Sequence, residues 1–277
     1  MDPVQKALWY VESHSRQPIT LEAIARKCNV SAFHLTRAFG ATTGLSLMRY
    51  VRARRLSEAA RQLALGAHDI LRVALDAGYG SHEAFTRAFR DQFGLTPEQV
   101  RAQGHTHNVF LVEAIIMSAT QVADLESPRF ETFRPMLFAG LTERYDCQSP
   151  GGIPDQWQRF APLIDRISGK IGEIAYGVIF NFDTEGNFDY MCGVEVASTS
   201  GLPAEFATLQ VPARKYVVFA HRGHIAGIRA TFAAIWSKWM PDSGHKAVEG
   251  ATLERYGPEF NPRTGMGGLE IWIPIED

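Results

Sequence analysis

A chain of 277 residues with 45% hydrophobic and 21% charged residues is long enough for about two domains of ordinary size and fits a globular class. It has no run of about 18 apolar residues, no amino-terminal signal pattern, and only three scattered cysteines, Cys28, Cys147 and Cys192; a cytoplasmic protein without membrane span or disulfide framework is expected. The formal net charge of −2 hides an asymmetry, since residues 1–107 hold 14 Lys and Arg against 9 Asp and Glu, and residues 108–277 hold 14 against 21. A basic module for phosphates joined to an acidic module for something else follows from that split.

Residues Pro3 to Ser15 read as a first helix with Val4, Ala7, Leu8 and Val11 on one face. Thr20 caps a second, and Asn29-Val30-Ser31 turns into a third. On that third helix Leu35 and Phe39 face inward, which leaves Ala32, Phe33, Thr36 and Arg37 accessible. Leu47 to Leu65 is a long connecting helix carrying Arg49, Arg52, Arg54, Arg55 and Arg61. For an isolated helix such a charge run is a solvated face; between two DNA readers it lies near phosphates, and Arg52 and Arg54 are the candidates.

From Ile70 to Arg101 the pattern is helix-turn-helix. Gly78 breaks the first helix, Ser81 caps the second, and Phe85, Phe89 and Phe93 recur every four residues as one apolar stripe. Ser81, His82, Glu83, Ala84 and Arg87 lie opposite that stripe or at the exposed amino-terminal end, a pattern that suits a major groove. The stretch repeats itself. Ser31-Ala-Phe-His-Leu-Thr-Arg-Ala-Phe39, then Gly44-Leu45, aligns with Ser81-His-Glu-Ala-Phe-Thr-Arg-Ala-Phe89, then Gly94-Leu95, at a constant offset of 50 residues. A duplicated supersecondary unit is the reading. It places Arg37 and Arg87 at equivalent positions.

Residues from about Ile19 to Arg101 resemble the DNA-binding domain of the AraC/XylS family of transcription regulators. The resemblance rests on IxxxAxxxGY at Ile70 to Tyr79, FTRAF at Phe85 to Phe89 and GLTPxxxR at Gly94 to Arg101. Tyr79 stands where the family more often has Phe, and Val100 where it often has an aromatic. The resemblance implies double-stranded DNA and RNA polymerase as partners, no cofactor, no metal, and two reading helices on one central helix entering adjacent major-groove segments.

Ala102 to Asn108 lacks periodicity and reads as a linker, so the expected division is 1–103, 104–108 and 109–277. His105 and His107 lack further ligands nearby, which favours a hinge over a metal site. Beyond Val109, Pro128 to Leu141 suggests two short strands around Arg134-Pro135, and Pro154 to Ser168 a helix carrying Trp157, Phe160 and Ile164. Tyr176 to Phe182 and Phe188 to Val196 are strands around the turn Asp183 to Asn187; its acids are turn chemistry, not a calcium loop. Strand Tyr216 to Ala220, helix Ile225 to Met240, and strands Ala251 to Tyr256 and Leu269 to Ile275 repeat the order. Phe138 and Phe219 stand in comparable places 81 residues apart.

Residues 109–277 resemble the GyrI-like effector-binding domain of multidrug-sensing regulators, through YGVxxNF at Tyr176, FDYMCGVEV at Phe188, PARKYVVFAHRG at Pro212, LERY at Leu253 and GLEIWIPI at Gly268. The expected fold is therefore an all-α tandem helix-turn-helix domain followed by an α+β domain of two strand-helix-strand-strand halves. The resemblance implies a central cleft with an acid, placed at Glu270, facing a cationic or polar small-molecule effector. From the residues alone Glu270 is equally a solvent-facing strand residue. Trp272, Tyr256, Tyr176 and Trp157 are the ligand-facing aromatic candidates, whereas Trp236 and Trp239 at helical spacing read as packing. Two other readings stand beside this one: hydrolase chemistry with Glu270 and Tyr256 as acid and base, aided by His221 or His224, and a DNA-binding protein whose second domain takes no ligand. No nucleophile elbow, metal quartet or phosphate loop appears.

Overall fold

In the computed structural model the described residues are 2–15, 17–116 and 124–276. Caps and periodicity account for the helices of the amino-terminal part. α1 (Pro3–His14) buries Val4, Ala7, Leu8 and Val11, the face expected from their spacing. α2 (Leu21–Cys28) starts where the Thr20 side chain accepts from the Ala23 amide and stops at Asn29, whose φ of 59° is left-handed. α3 (Ala32–Thr43) and the long α4 (Leu47–Ala64) follow. α5 (Ile70–Asp76) is capped by Asp69, and α6 (His82–Phe93) by Ser81, whose hydroxyl accepts from the Ala84 amide. α7 (Pro97–Gln103), a helix added to the predicted set, opens on a reciprocal capping box between Thr96 and Gln99.

The chain forms two compact units that do not follow chain order. Pro3–Ala32 and the helices α4 to α7 make the first; Phe33–Ser46, most of α3, groups with the carboxyl-terminal part. In the first unit Phe85 and Phe89 of α6 are fully buried in one cluster with Leu56, Ala60 and Leu63 of α4, Val73 of α5 and Val100 of α7. The rings meet edge to face, with Phe89 and Phe93 centroids 4.7 Å apart. Past α7, the chain runs along α4, where the Ser57 hydroxyl accepts from the Val112 amide at 2.9 Å.

The second unit is built on one antiparallel sheet of β1 (Arg129–Phe133), β2 (Met136–Asp146), β3 (Lys170–Phe180), β4 (Asn187–Val196), β5 (Ala207–Val211), β6 (Arg214–His221), β7 (Thr252–Tyr256) and β8 (Leu269–Pro274), with order β1-β6-β8-β7-β3-β4-β2-β5. The two expected halves are present. β2, α8 (Ile153–Phe160), β3 and β4 make one; β6, α9 (Ile228–Ala234), β7 and β8 make the other, and they meet where β3 pairs with β7. β5 is a strand the sequence reading missed. It precedes β6 yet pairs with β2, as β1 precedes β2 yet pairs with β6, so each half lends the other an edge strand.

Strand alternation gives the sheet two apolar faces. One carries Phe138, Tyr176, Tyr216, Val218, Leu253 and Trp272. The other carries Ile179, Tyr190, Cys192 and Val194 beneath Phe160 and Phe232 of the helical segments. The proposed equivalence of Phe138 and Phe219 is corrected here. Phe138 packs on Tyr176 on the first face, whereas Phe219 packs on Trp239 of the helical segment. A one-residue offset reverses the facing of a strand residue, so the 81-residue spacing joins positions on opposite faces.

Candidate functional site

β7 sends Thr252, Glu254 and Tyr256 to the helix-covered face and Leu253 and Arg255 to the other. Glu254 is therefore a carboxylate inside the second unit, 6% exposed. Its Oε2 accepts from the Tyr190 hydroxyl at 2.6 Å and from the Tyr256 hydroxyl at 2.9 Å. The Trp157 indole N–H of α8 donates to the Tyr190 oxygen at 3.0 Å, and its ring stands edge-on to Tyr256 at 4.9 Å. Burial raises the Glu254 carboxyl above the ordinary value; the two hydroxyls and the Arg37 charge pull the other way without cancelling it. The same burial, reinforced by Glu254, holds the Tyr190 and Tyr256 hydroxyls well above 10.

A glycine opposite makes the room. On β3, Gly177 pairs with Glu254, and a Cβ there would lie 2.1 Å from the Tyr190 hydroxyl and 2.7 Å from the Glu254 Oε2. Any side chain there would displace Tyr190 and Glu254.

Beside Glu254 lies a cavity of about 170 Å³ whose lining includes Ile179, Phe182, Phe188, Tyr190, Phe232 and Trp236. The segment after α9 forms a π-helical turn, Ile235–Trp239, a feature that recurs at functional sites. α3 supplies the remaining wall through Arg37, Gly40 and Ala41. The Arg37 guanidinium lies 4.4 Å from the Phe182 ring centroid and 5.3 Å from that of Trp236, and it donates to the Thr252 hydroxyl at 3.2 Å. Burial brings Arg37 down to about 10, while Glu254 acts to raise it.

The five ligand candidates named from sequence divide across the sheet. Trp157 and Tyr256 join Glu254 in the cage. Tyr176 and Trp272 pack in the apolar cluster of the opposite face, and Glu270 stands on that same side, since it pairs with Arg255 as Leu253 pairs with Trp272. Glu270 is bound to Arg129 at 2.8 Å and Arg255 at 3.4 Å, with the Trp272 indole donating at 3.0 Å. Burial acts to raise its carboxyl, but these three partners outweigh it and hold the group below 4.5. Glu270 and Tyr256 thus do not assemble into an acid–base pair. The buried acid that the sequence reading did not single out is Glu254, and the signal was there: Leu253-Glu-Arg-Tyr256 places an acid and a tyrosine two apart on one strand face. Trp236, read as packing, lines the cavity.

The candidates for histidine and metal chemistry resolve into structure. The buried His221 is engaged through Nδ1 with the Thr231 hydroxyl at 2.8 Å and through Nε2 with the His224 carbonyl at 3.0 Å. Asp183 accepts from the Glu185 and Asn187 amides, as a turn aspartate does. Among the described residues no group of three His, Cys, Asp or Glu gathers to hold a metal, and no helix is long and apolar enough to cross a membrane.

In the first unit α6 presents Glu83 and Arg87 outward, with His82 half-buried against Glu98 at 3.1 Å and Ser81 engaged as the cap. On α4, Arg52 is exposed, but Arg54 is not available in the way expected. Its guanidinium forks onto Glu12 at 2.7 and 2.9 Å and reaches the Val112 carbonyl at 2.8 Å. A planar fork satisfied on three oxygens is a structural tie, not a phosphate contact. On α3 the expectation of accessibility fails for two residues. Thr36 and Arg37 are each only 7% exposed, whereas Ala32 and Phe33 are half-buried, the Phe33 ring lying edge-on to Trp236.

Comparison with known proteins agrees with both halves of the geometry. The profile of the GyrI-like small molecule binding domain matches residues 126–276, and that of a helix-turn-helix domain matches residues 24–103. The chain is 29% identical to transcriptional regulator Rob of Salmonella typhimurium, covering 98% of this chain and 97% of that protein. Its identity to the right origin-binding protein of Escherichia coli K12 is 27% at the same coverage. To transcriptional regulator BrlR of Pseudomonas aeruginosa it is 28%, over 82% of this chain and 86% of that one. With the helix-turn-helix repeat first and the eight-stranded sheet second, matched over nearly its whole length, the chain belongs to the family of AraC-type transcription regulators that carry a GyrI-like small-molecule-binding domain.

Proposed function

We propose that this DNA-binding regulator is controlled by a small cationic, aromatic effector that binds in the cage around Glu254. The observation that carries the reading is a carboxylate buried under Tyr190, Tyr256 and Trp157, beside a cavity of about 170 Å³ lined mainly by apolar and aromatic side chains. A buried carboxylate is costly unless compensated, and an entering cation compensates it while its flat face gains ring contacts. Glu270, held by two arginines, is assigned to the sheet's own electrostatics. Titration of benzamidine and its neutral isostere benzamide into the wild type, Glu254→Gln and Glu270→Gln tests this. Binding of benzamidine alone, weakened about tenfold or more by Glu254→Gln and unchanged by Glu270→Gln, is expected. Equal binding to the wild type and Glu254→Gln overturns the assignment.

On the DNA side, Arg87 and Glu83 on α6 are the proposed base readers, with His82 beside them and Arg52 on the backbone. Arg presents two donors to guanine, and Arg87 is exposed on the face opposite Phe85 and Phe89. Arg87→Ala costs about 1–3 kcal/mol at one base pair and relaxes specificity there. Selection from a random duplex pool with both proteins reads it: an unchanged preference at every position removes Arg87 from the readers.

A further inference from the structure

α3 carries one of the two equivalent arginines of the repeat, and its guanidinium is enclosed in the second unit. Four ties hold the segment there. The His34 Nε2–H donates to the Trp236 carbonyl at 2.8 Å, and Arg37 reaches the Thr252 hydroxyl at 3.2 Å. Arg229 donates to the Gly40 carbonyl at 3.5 Å near the end of α3, and the Ser46 hydroxyl donates to the Thr184 carbonyl at 3.2 Å. Burial of His34 and Arg37 disfavours their charged forms, which sets this arrangement apart from a loose surface contact. The shape of the bound group is informative. A planar, delocalised cation lies 4.4 Å from one ring centroid and 5.3 Å from another, on the same cavity wall as a buried carboxylate. The chain thus displays the ligand chemistry of the cage with its own side chain.

We infer that Arg37 is an internal occupant of the effector cage, so that a flat delocalised cation of the amidinium or guanidinium class entering the cage displaces it and frees α3 to read DNA. The inference rests on the proposed effector site and on the equivalence of Arg37 and Arg87 in the repeat. Its thermodynamic content is a linkage: cage occupancy and DNA reading by α3 compete for one side chain, so an effector raises DNA affinity and DNA raises effector affinity by the same factor. The DNA affinity of the unliganded chain is reduced by the fraction of molecules in which Arg37 is released.

The test uses the full chain at one salt concentration, with a duplex selected from a random pool by the wild type. Glu254→Gln removes the charge that faces Arg37, and Phe182→Leu removes the ring beneath it. Without any added ligand, both variants are expected to bind the duplex about tenfold tighter than the wild type. Circular dichroism and melting curves show whether each is folded, and the half-buried Phe182 site tolerates its change if Glu254→Gln does not. A third variant, Arg37→Met, vacates the cage and is expected to bind benzamidine about tenfold tighter than the wild type. The idea is overturned if the folded variants bind DNA no tighter than the wild type, or if Arg37→Met leaves benzamidine affinity unchanged. Benzamidine binding to none of the proteins removes the effector reading alone, because the ligand-free DNA measurements still decide the fate of Arg37.

Discussion

At the scale of single residues, two atoms without room or partner make sharp predictions. Gly177 has no Cβ because the Tyr190 hydroxyl and the Glu254 carboxylate occupy that space. Gly177→Ala separates the two, and overpacking of this kind costs about 1–3 kcal/mol. Denaturant melts are expected to show that loss in the transition of the second unit; a variant as stable as the wild type means the cage relaxes freely. Tyr79 is the opposite case. Its ring packs edge-on to Phe85 at 5.5 Å, while its buried hydroxyl has no hydrogen-bond partner among the described residues. Tyr79→Phe is expected to stabilise the protein by about 1 kcal/mol, because an unmade hydrogen bond to a buried group is removed with little change of shape. A lower melting temperature for this variant would show that water satisfies the hydroxyl.

At the scale of elements, α4 separates arginines that look alike in sequence. Arg54 ties α4 to Glu12 of α1 and to the Val112 carbonyl, and Arg55 reaches the Ser15 carbonyl at 2.8 Å. Arg52 is exposed. Arg52→Ala is therefore expected to weaken binding to every duplex alike and to lower the salt slope by about one. Arg54→Ala lowers stability instead. Similar salt slopes for both variants would erase the distinction. The amino-terminal cap of α7 matters in the same way: Thr96→Ala breaks its capping box and is expected to cost about 1 kcal/mol, read by the melting transition.

For the whole molecule, pH acts on a half-buried acid and a buried one in opposite directions. Glu12 lies below its ordinary value of 4.5, chiefly through the Arg54 hydrogen bond. Its contribution is present above that value and lost as pH falls through the lowered one. Glu254 lies above 4.5 through burial, so its contribution is present below 4.5 and lost as pH rises through the raised value. Arg37 from α3, Tyr190 and Cys192 from β4 and Tyr256 from β7 are the titratable groups around it. Glu254→Gln is expected to flatten the loss of stability above pH 4.5, and Arg54→Met the loss below it. Benzamidine affinity should climb as pH rises through the raised Glu254 value, and a profile flat at every pH above 4.5 would count against Glu254 as its partner.

The repeat, the caps at Thr20 and Ser81, and the apolar stripe of α6 were legible in the sequence because each depends on neighbours within a few turns. Local patterns of that kind specify the helix-turn-helix units and the two halves of the sheet domain without further information. The arrangement of the candidate site was legible only in part. Trp157 and Tyr256, named from sequence, lie beside Glu254, whereas Glu270, the acid named with them, lies on the other face of the sheet, because two strands of similar texture each carry one acid and sequence alone does not say which neighbours face it. Pairing decides it: Arg255 stands opposite Glu270, and Gly177 opposite Glu254. The fate of Arg37 is the same lesson over a longer distance. Its repeat position marks it as the twin of the exposed Arg87, yet Phe182, Trp236 and Thr252, distant in sequence, enclose it. Periodicity determines which side of a helix a residue occupies; only the tertiary structure determines what covers that side.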